Sequence, residues 1–475
     1  MRFTKTPLLA AASLLAFIAI PGIAADGVPD PGFGSQGMAF LTPDDVEARE
    51  IQPNATIVLP DGKLLFGGTR NKFNPAVPFE PEIRCALARL NADGSVDSSF
   101  GNTSIPGVVV LEGLVEGARM EGIESMKRLD DGSIIAVGVS MVNVPLRGFV
   151  VKLDESGNLD TTFGDGGAVF VPATYAHAVA IDSQGRIVVA GEHIQNQVYT
   201  STVMRFLADG TPDDAFGDTG VVSIHWDSAG NSGYLADLAL LDDDRIIVGG
   251  SYSIYGDGLG GDYAVARLDT LGGFDTTFAD VGWRVFHDPA NSSMVNAINR
   301  IALTPDGGIA FAGYYYTADS VTALLLGHLN GNGTTDTAFG DVATPGFFRP
   351  AILPTAQTML PTALLAQADG KLAVSVSYFD ANRQDFFALR TTAAGQLDPD
   401  FADGGVFDFD LAPDGVYSDL SSMALQPDGA LILAGRSMQS TESPIVDLGV
   451  MRLLNGGGPP DRIFASGFDP ESSQP

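Results

Sequence analysis

Asp93-Gly94-Ser95-Val96-Asp97-Ser98-Ser99-Phe100-Gly101 is the stretch that decides the fold, because degraded copies of it run along the whole chain. Its phenylalanine returns as Phe33, Phe163, Phe216, Phe278, Phe339 and Phe401, about 60 residues apart and each three positions after an aspartate. A period of that size marks an array or a propeller. A second phrase keeps the same phase, as in Asp61-Gly62 before KLLFGG, Asp131-Gly132 before SIIAVG, Gln184-Gly185 before RIVVAG and Asp428-Gly429 before ALILAG. A third closes on a basic residue, as in CALARL at 85–90, VMRF at 203–206 and VMRL at 450–453.

Each unit therefore reads as four short apolar runs separated by Gly, Asp, Asn and Pro, the pattern of strands joined by tight turns. No helix fits between them. The runs are nearly continuous rather than alternating, so both faces of each small sheet must be buried, as when one blade stacks between two others. The spacing predicts an all-β chain: a seven-bladed β-propeller of four-stranded blades. By analogy with other propellers built this way, the run before each Asp-Gly, such as Ala178 to Ile181 or Met423 to Gln426, would line the central channel. The run after each Phe-Gly would form the outer edge.

These phrases resemble the delta-60 repeat family, over about residues 26–455. The resemblance implies a propeller repeat and no single activity.

The phase of the repeat has a consequence at the ends. The chain starts with an outer run, Gly37 to Leu41, and finishes on a third run that lacks one, so the N-terminal strand is expected to complete the last blade. A basic residue also stands eight positions before the phrase's aspartate: Arg89 and Asp97, Lys152 and Asp160, Arg205 and Asp213, Arg267 and Asp275, His328 and Asp336, Arg390 and Asp398. Blade closure would pair Asp30 with Arg452. A part repeated in every unit builds the unit, so these read as structural ion pairs.

Residues 1–25 carry Arg2 and Lys5, an apolar stretch from Leu8 to Ile20, and small residues before a cut. That is a secretory signal peptide, too short for a membrane span, and it predicts a secreted, periplasmic or cell-surface protein. Residues 456–475 read as a Gly/Pro linker and short tail. The single cysteine, Cys85, permits no internal disulfide and reads as core packing. A net charge of −32, from 58 acidic and 26 basic residues, disfavours nucleic acid and anionic lipid as partners.

No phosphate loop, zinc-protease helix or nucleophile elbow is present. Three groups of residues remain as candidates. His225 and His287 occupy equivalent places where an outer run ends, with Asp227, Asp288 and Asp410 beside or equivalent to them, as metal ligands or an acid–base set. Tyr252, Tyr255, Tyr314 and Tyr378 fall between the second and third runs of consecutive units, where flat rings with a hydroxyl suit sugar or peptide binding. Acidic loops at 227–231, 242–244 and 257–262 offer oxygen ligands to Ca²⁺ without matching the twelve-residue calcium loop. No other cofactor is suggested. The expected function is a secreted binding module for a polysaccharide or envelope protein. The rivals are a lactonase-like hydrolase or lyase, and a structural spacer.

Overall fold

A computed structural model describes residues 26–42, 48–72, 82–101, 105–141, 145–172, 174–195, 198–226, 233–252, 261–287, 296–317, 319, 321–352, 358–379, 386–409, 417–438 and 446–455. The expected signal peptide and tail lie outside them. Among the described residues there is no helix; regular structure is entirely β.

The strands assemble in antiparallel groups of four. In chain order the first group is Ala48–Val58, Leu64–Lys72, Glu82–Leu90 and Val108–Leu111. The second is Met120–Arg128, Ile134–Met141, Arg147–Leu153 and Ala168–Pro172, joined to the first by one parallel pairing, Ile83 with Met120. The third is Thr174–Ile181, Ile187–Gln195, Val198–Phe206 and Val221–Ile224, and the fourth Gly233–Leu240, Ile246–Tyr252, Asp262–Leu268 and Trp283–Phe286. Asn296–Leu303, Ile309–Tyr316, Thr322–Leu329 and the short Phe347–Phe348 make the fifth. Thr358–Ala366, Leu372–Phe379, Phe386–Thr391 and Val406–Phe409 make the sixth. The last contains Tyr417–Leu425, Leu431–Met438 and Asp447–Leu453, and its fourth strand is Met38–Leu41 from the other end of the chain, Met38 opposite Met451 and Leu41 opposite Leu448.

First strands of successive groups pack on one another, and Tyr417–Leu425 packs on Ala48–Val58. The apolar core lies between groups, not within them. One cluster, for example, joins Val188 and Val203 of the third group to Leu235, Val248 and Ala266 of the fourth. Both faces of a sheet are thus desolvated, which is what the unbroken apolar runs required. Cys85 is fully buried in such a cluster, and burial, with Glu121 and Glu124 adding, raises its thiol well above the ordinary value.

Every first strand carries a β-bulge at the same place, skipping Asn54, Glu124, His177, Ala236, Asn299, Thr362 and Ser421 in turn. The glycine that closes the second-strand phrase, as in Gly67-Gly68, Val137-Gly138 or Ala190-Gly191, permits it. At Gly191 a Cβ would stand 1.8 Å from the Tyr175 carbonyl oxygen, and at Gly68 1.9 Å from that of Gln52. Only the sixth group does without, placing Val376 opposite Pro361. A bulge re-aims the side chain that it carries.

The repeated turn is continuous in the first six groups and split in the last. Arg452-Leu453-Leu454-Asn455 supplies its beginning and Asp26-Gly27-Val28-Pro29-Asp30 its end. Gly27 N–H donates to the Leu454 carbonyl at 2.7 Å, Asp30 N–H donates to that of Arg452 at 2.8 Å, and the Arg452 guanidinium donates to the Asp30 carboxylate.

Candidate functional site

The basic residue at the end of each third strand meets the aspartate of the phrase. Arg89 reaches Asp97 at 2.8 Å, Lys152 reaches Asp160 at 3.5 Å, Arg205 reaches Asp213 at 2.8 Å and Arg267 reaches Asp275 at 2.8 Å. His328 reaches Asp336 at 2.9 Å, and Arg390 reaches Asp398 at 2.7 Å. The arginines do two further things. Arg89 and Arg205 each lie 4.3 Å over the ring of the phrase's Phe, Phe100 and Phe216. Arg89, Arg205 and Arg267 also donate across to the next group's turn, to the carbonyls of Glu155, Thr270 and Gly331 at 3.0, 2.6 and 2.5 Å. Each is a clasp between neighbouring groups.

The residues expected to carry function are dispersed. His225 and His287 are exposed, each just past an outer strand. Asp227, Asp288, Asp410 and Tyr255 lie outside the described residues. Tyr378 is a correction: only 2% of it is exposed, it packs edge-on against Phe387, and it presents no surface to a ligand. Tyr252 and Tyr314 are half-buried, and Tyr314 is hydrogen-bonded to Tyr234. Of the acidic run 242–244, Asp243 is paired to Arg245 at 2.8 Å and Asp244 accepts from the Ser183 amide at 2.8 Å, so both hold turns. Among the described residues no three His, Cys, Asp or Glu side chains gather as a metal site would require.

What gathers instead is a set of ionisable side chains in a cavity of about 380 Å³, bounded by the first strands of all the groups. Asn54, Glu124, Lys127, His177, Asp237, Arg300, Thr362 and Ser422 line it, over an apolar wall that includes Ile57, Met126, Leu364 and Met423. The charged residues come from four consecutive groups, at or near their bulges. The remaining three groups offer only neutral side chains there.

Their electrostatics follow from desolvation in a narrow space. Burial pushes Lys127 down to about 8, with the Asp237 charge opposing. Burial raises the Glu124 carboxyl against the pull of His177 and Arg300. Burial alone would lower His177, but its ion pair with Glu192 at 2.8 Å, helped by Glu124, holds it above the ordinary value. Tyr175 stacks on that imidazole, ring centroids 5.8 Å apart and 7° from parallel. Asp237 is raised by burial, against Arg300, while it accepts the Leu238 and Ile301 amides at 2.9 and 3.0 Å. Arg300 is fixed by donating to the carbonyls of Thr362 and Asn299, both at 2.7 Å. The arrangement can hold a polar ligand between fixed charges of both signs and can move protons near neutral pH.

Sequence reasoning missed these residues, although one signal was present. Aligned on Asp-Gly, the column containing Lys127 otherwise reads Ile57, Ala180, Ala239, Ala302, Leu365 and Ala424. A lysine in an apolar column is the anomaly that marks the site.

Four segments, 59–100, 129–163, 183–216 and 367–401, match the profile of a domain of unknown function, the DUF5122 beta-propeller. Among curated protein sequences none matches the chain. Solved structures that resemble it include the polysaccharide lyase Uly1, at 12% identity and TM-score 0.49, covering 90% of this chain and 96% of that one. Sqt1 of Chaetomium thermophilum aligns at 11% identity and TM-score 0.45, covering 88% and 98%. A gluconolactonase of Xanthomonas campestris aligns at 13% and 0.33, covering 68% and 83%. The chain is a β-propeller repeat protein.

Proposed function

We propose that this is a secreted binding module, a closed seven-bladed propeller that takes a small polar ligand, such as part of a polysaccharide, into its central cavity. The observation that supports it is the placement of Glu124, His177, Asp237 and Arg300 at or beside equivalent bulges of consecutive groups, with Lys127 on the same strand as Glu124 and lining the same cavity. A folding role does not require them, since the other three groups form the same bulge with Asn54, Thr362 and Ser421. The ring reading rests on the packing of each first strand on the next and of the last on the first.

The test is a thermal-shift and calorimetric screen of residues 26–475 against neutral and acidic oligosaccharides, repeated on Arg300→Gln and His177→Gln. A ligand that binds the parent and is lost in both variants supports the cavity. A ligand bound equally by all three proteins places recognition elsewhere.

A second reading is catalytic. Lys127 near pH 8 and the raised Glu124 are a base and an acid of the kind that perturbed sites supply. A lyase or hydrolase of this design would show turnover that Glu124→Gln abolishes while binding survives.

A further inference from the structure

The central cavity has a side chamber. A second space of about 280 Å³ lies between the first and second groups and shares two lining residues with the central cavity, Asn54 and Glu124. Its other walls include Asn71 and Ile83 of the first group, and Glu121, Val139 and Met141 of the second. The volume is close to the lower end, about 300 Å³, of pockets that hold small ligands.

Two acceptors in this chamber are left over. Glu121 is 1% exposed, and its Oε1 accepts the Val115 amide at 2.7 Å. Its Oε2 has no hydrogen-bond partner among the described residues and meets Arg84 Nη1 only at 3.6 Å. Asn71 donates through Nδ2 to Glu50 at 2.5 Å, and its buried Oδ1 accepts nothing from the described residues. Buried acceptors without donors are rare, because each has given up the water that it bonded before folding. Two of them lining one chamber call for a donor that the chain does not supply.

The chemistry selects an uncharged donor. Arg84 already stands beside Glu121, so an incoming ammonium would be repelled as well as attracted. Burial raises the Glu121 carboxyl, against the Val115 amide and Arg84. A hydroxyl both donates and accepts, so it satisfies that carboxyl with or without its proton. Ile83, Val139 and Met141 supply the apolar wall on which the C–H face of a sugar ring can lie.

We propose that this chamber is a second sugar subsite, continuous with the central cavity past Asn54 and Glu124, in which Glu121 and Asn71 hold a neutral, hydroxyl-rich unit of an oligosaccharide at least two units long. The inference rests on the carbohydrate reading of the central cavity. It places Glu124, at the junction, beside the linkage between the two units.

The test is calorimetry of residues 26–475 with glucose, cellobiose, glucuronate, cellobiouronate (glucuronate linked to a neutral glucose), galacturonate and digalacturonate. Cellobiose or cellobiouronate is expected to bind about tenfold tighter than its monosaccharide, the gain of one charge-assisted hydrogen bond. Digalacturonate should gain nothing over galacturonate, because two carboxylates flank the chamber. Val139→Phe, which fills the chamber, should bring the disaccharide down to the affinity of the monosaccharide, and Asn71→Leu should remove part of the gain. Unchanged monosaccharide binding by both variants shows that they are folded. Equal affinity for monosaccharide and disaccharide, or a gain that persists in Val139→Phe, would overturn the side subsite and leave the central cavity standing. A gain with digalacturonate as large as with cellobiose would overturn the neutral assignment, and binding of none of these sugars would overturn both readings.

Discussion

The clasps at the turns and the bulges at the cavity are both repeated around the molecule, but they treat repetition oppositely. At the clasps the chemistry is nearly constant: arginine, aspartate and phenylalanine recur with contacts of 2.7 or 2.8 Å between the charges. At the bulges the backbone is constant and the chemistry varies, from Asn54 through Glu124 and His177 to Ala236. Where a repeat fixes the side chain, the side chain builds the repeat. Where it fixes only the backbone, the position is free to acquire a task.

The comparison predicts that clasp substitutions cost stability and cavity substitutions do not. The largest loss is expected for Arg205→Ala. That arginine is 1% exposed, and its removal leaves Asp213 buried without its main partner, at a cost of about 3–5 kcal/mol by urea denaturation. Lys152→Ala should cost far less, about 1 kcal/mol, because the amine meets Asp160 only at 3.5 Å and in a more open setting.

Gly191→Ala should break the bulge beneath His177 by driving a methyl into the Tyr175 carbonyl. A loss of about 1–3 kcal/mol is expected, together with loss of any cavity ligand. It is the one substitution that should damage both stability and binding.

Lys127→Met should act in the other direction. The unfolded chain holds the lysine proton with an ordinary pKa of 10.5, and the folded chain with one of about 8, so keeping that charge in the cavity opposes folding. The parent's stability from this group therefore rises as pH climbs from about 8 to about 10.5. The variant should be more stable at pH 7 by about 3 kcal/mol, with the advantage fading across that window, as melting curves at several pH values would show.

The smallest effect concerns acid. Asp97 is held down to about 2, burial being outweighed by hydrogen bonds from Ser99 and the cations Lys63 and Arg89. Its contribution is complete above its ordinary 3.8 and is lost as pH falls toward 2, so Asp97→Asn should flatten the acid limb of the stability profile.

The β class and the four-stranded groups were legible because turn glycines and apolar runs are dictated locally, and because each group needs burial on both faces. The partners of the basic residues were legible from a constant offset of eight positions. The cavity was not. Histidines at strand ends and tyrosines between strands drew attention because rare residues are conspicuous in a sequence. Tyr378 turned out to complete the core between two groups. Glu124, Asp237 and Arg300 are ordinary residue types, and nothing local says that a bulge turns them inward. Only the pairing register reveals it, and that depends on contacts between strands.

The turn shared by the two ends of the described chain has a consequence for how freely the molecule could be rewired. Joining Asn455 to Asp26 would write an eighth-position pair and a Phe into one uninterrupted phrase, Arg452 through Phe33, like those of the other groups. New ends could then be opened at any equivalent turn, for example between Ala92 and Asp93, with the same split contacts to hold them. The present start of the fold is one of several interchangeable seams, and a circularly permuted chain should find the same fold from a different seam.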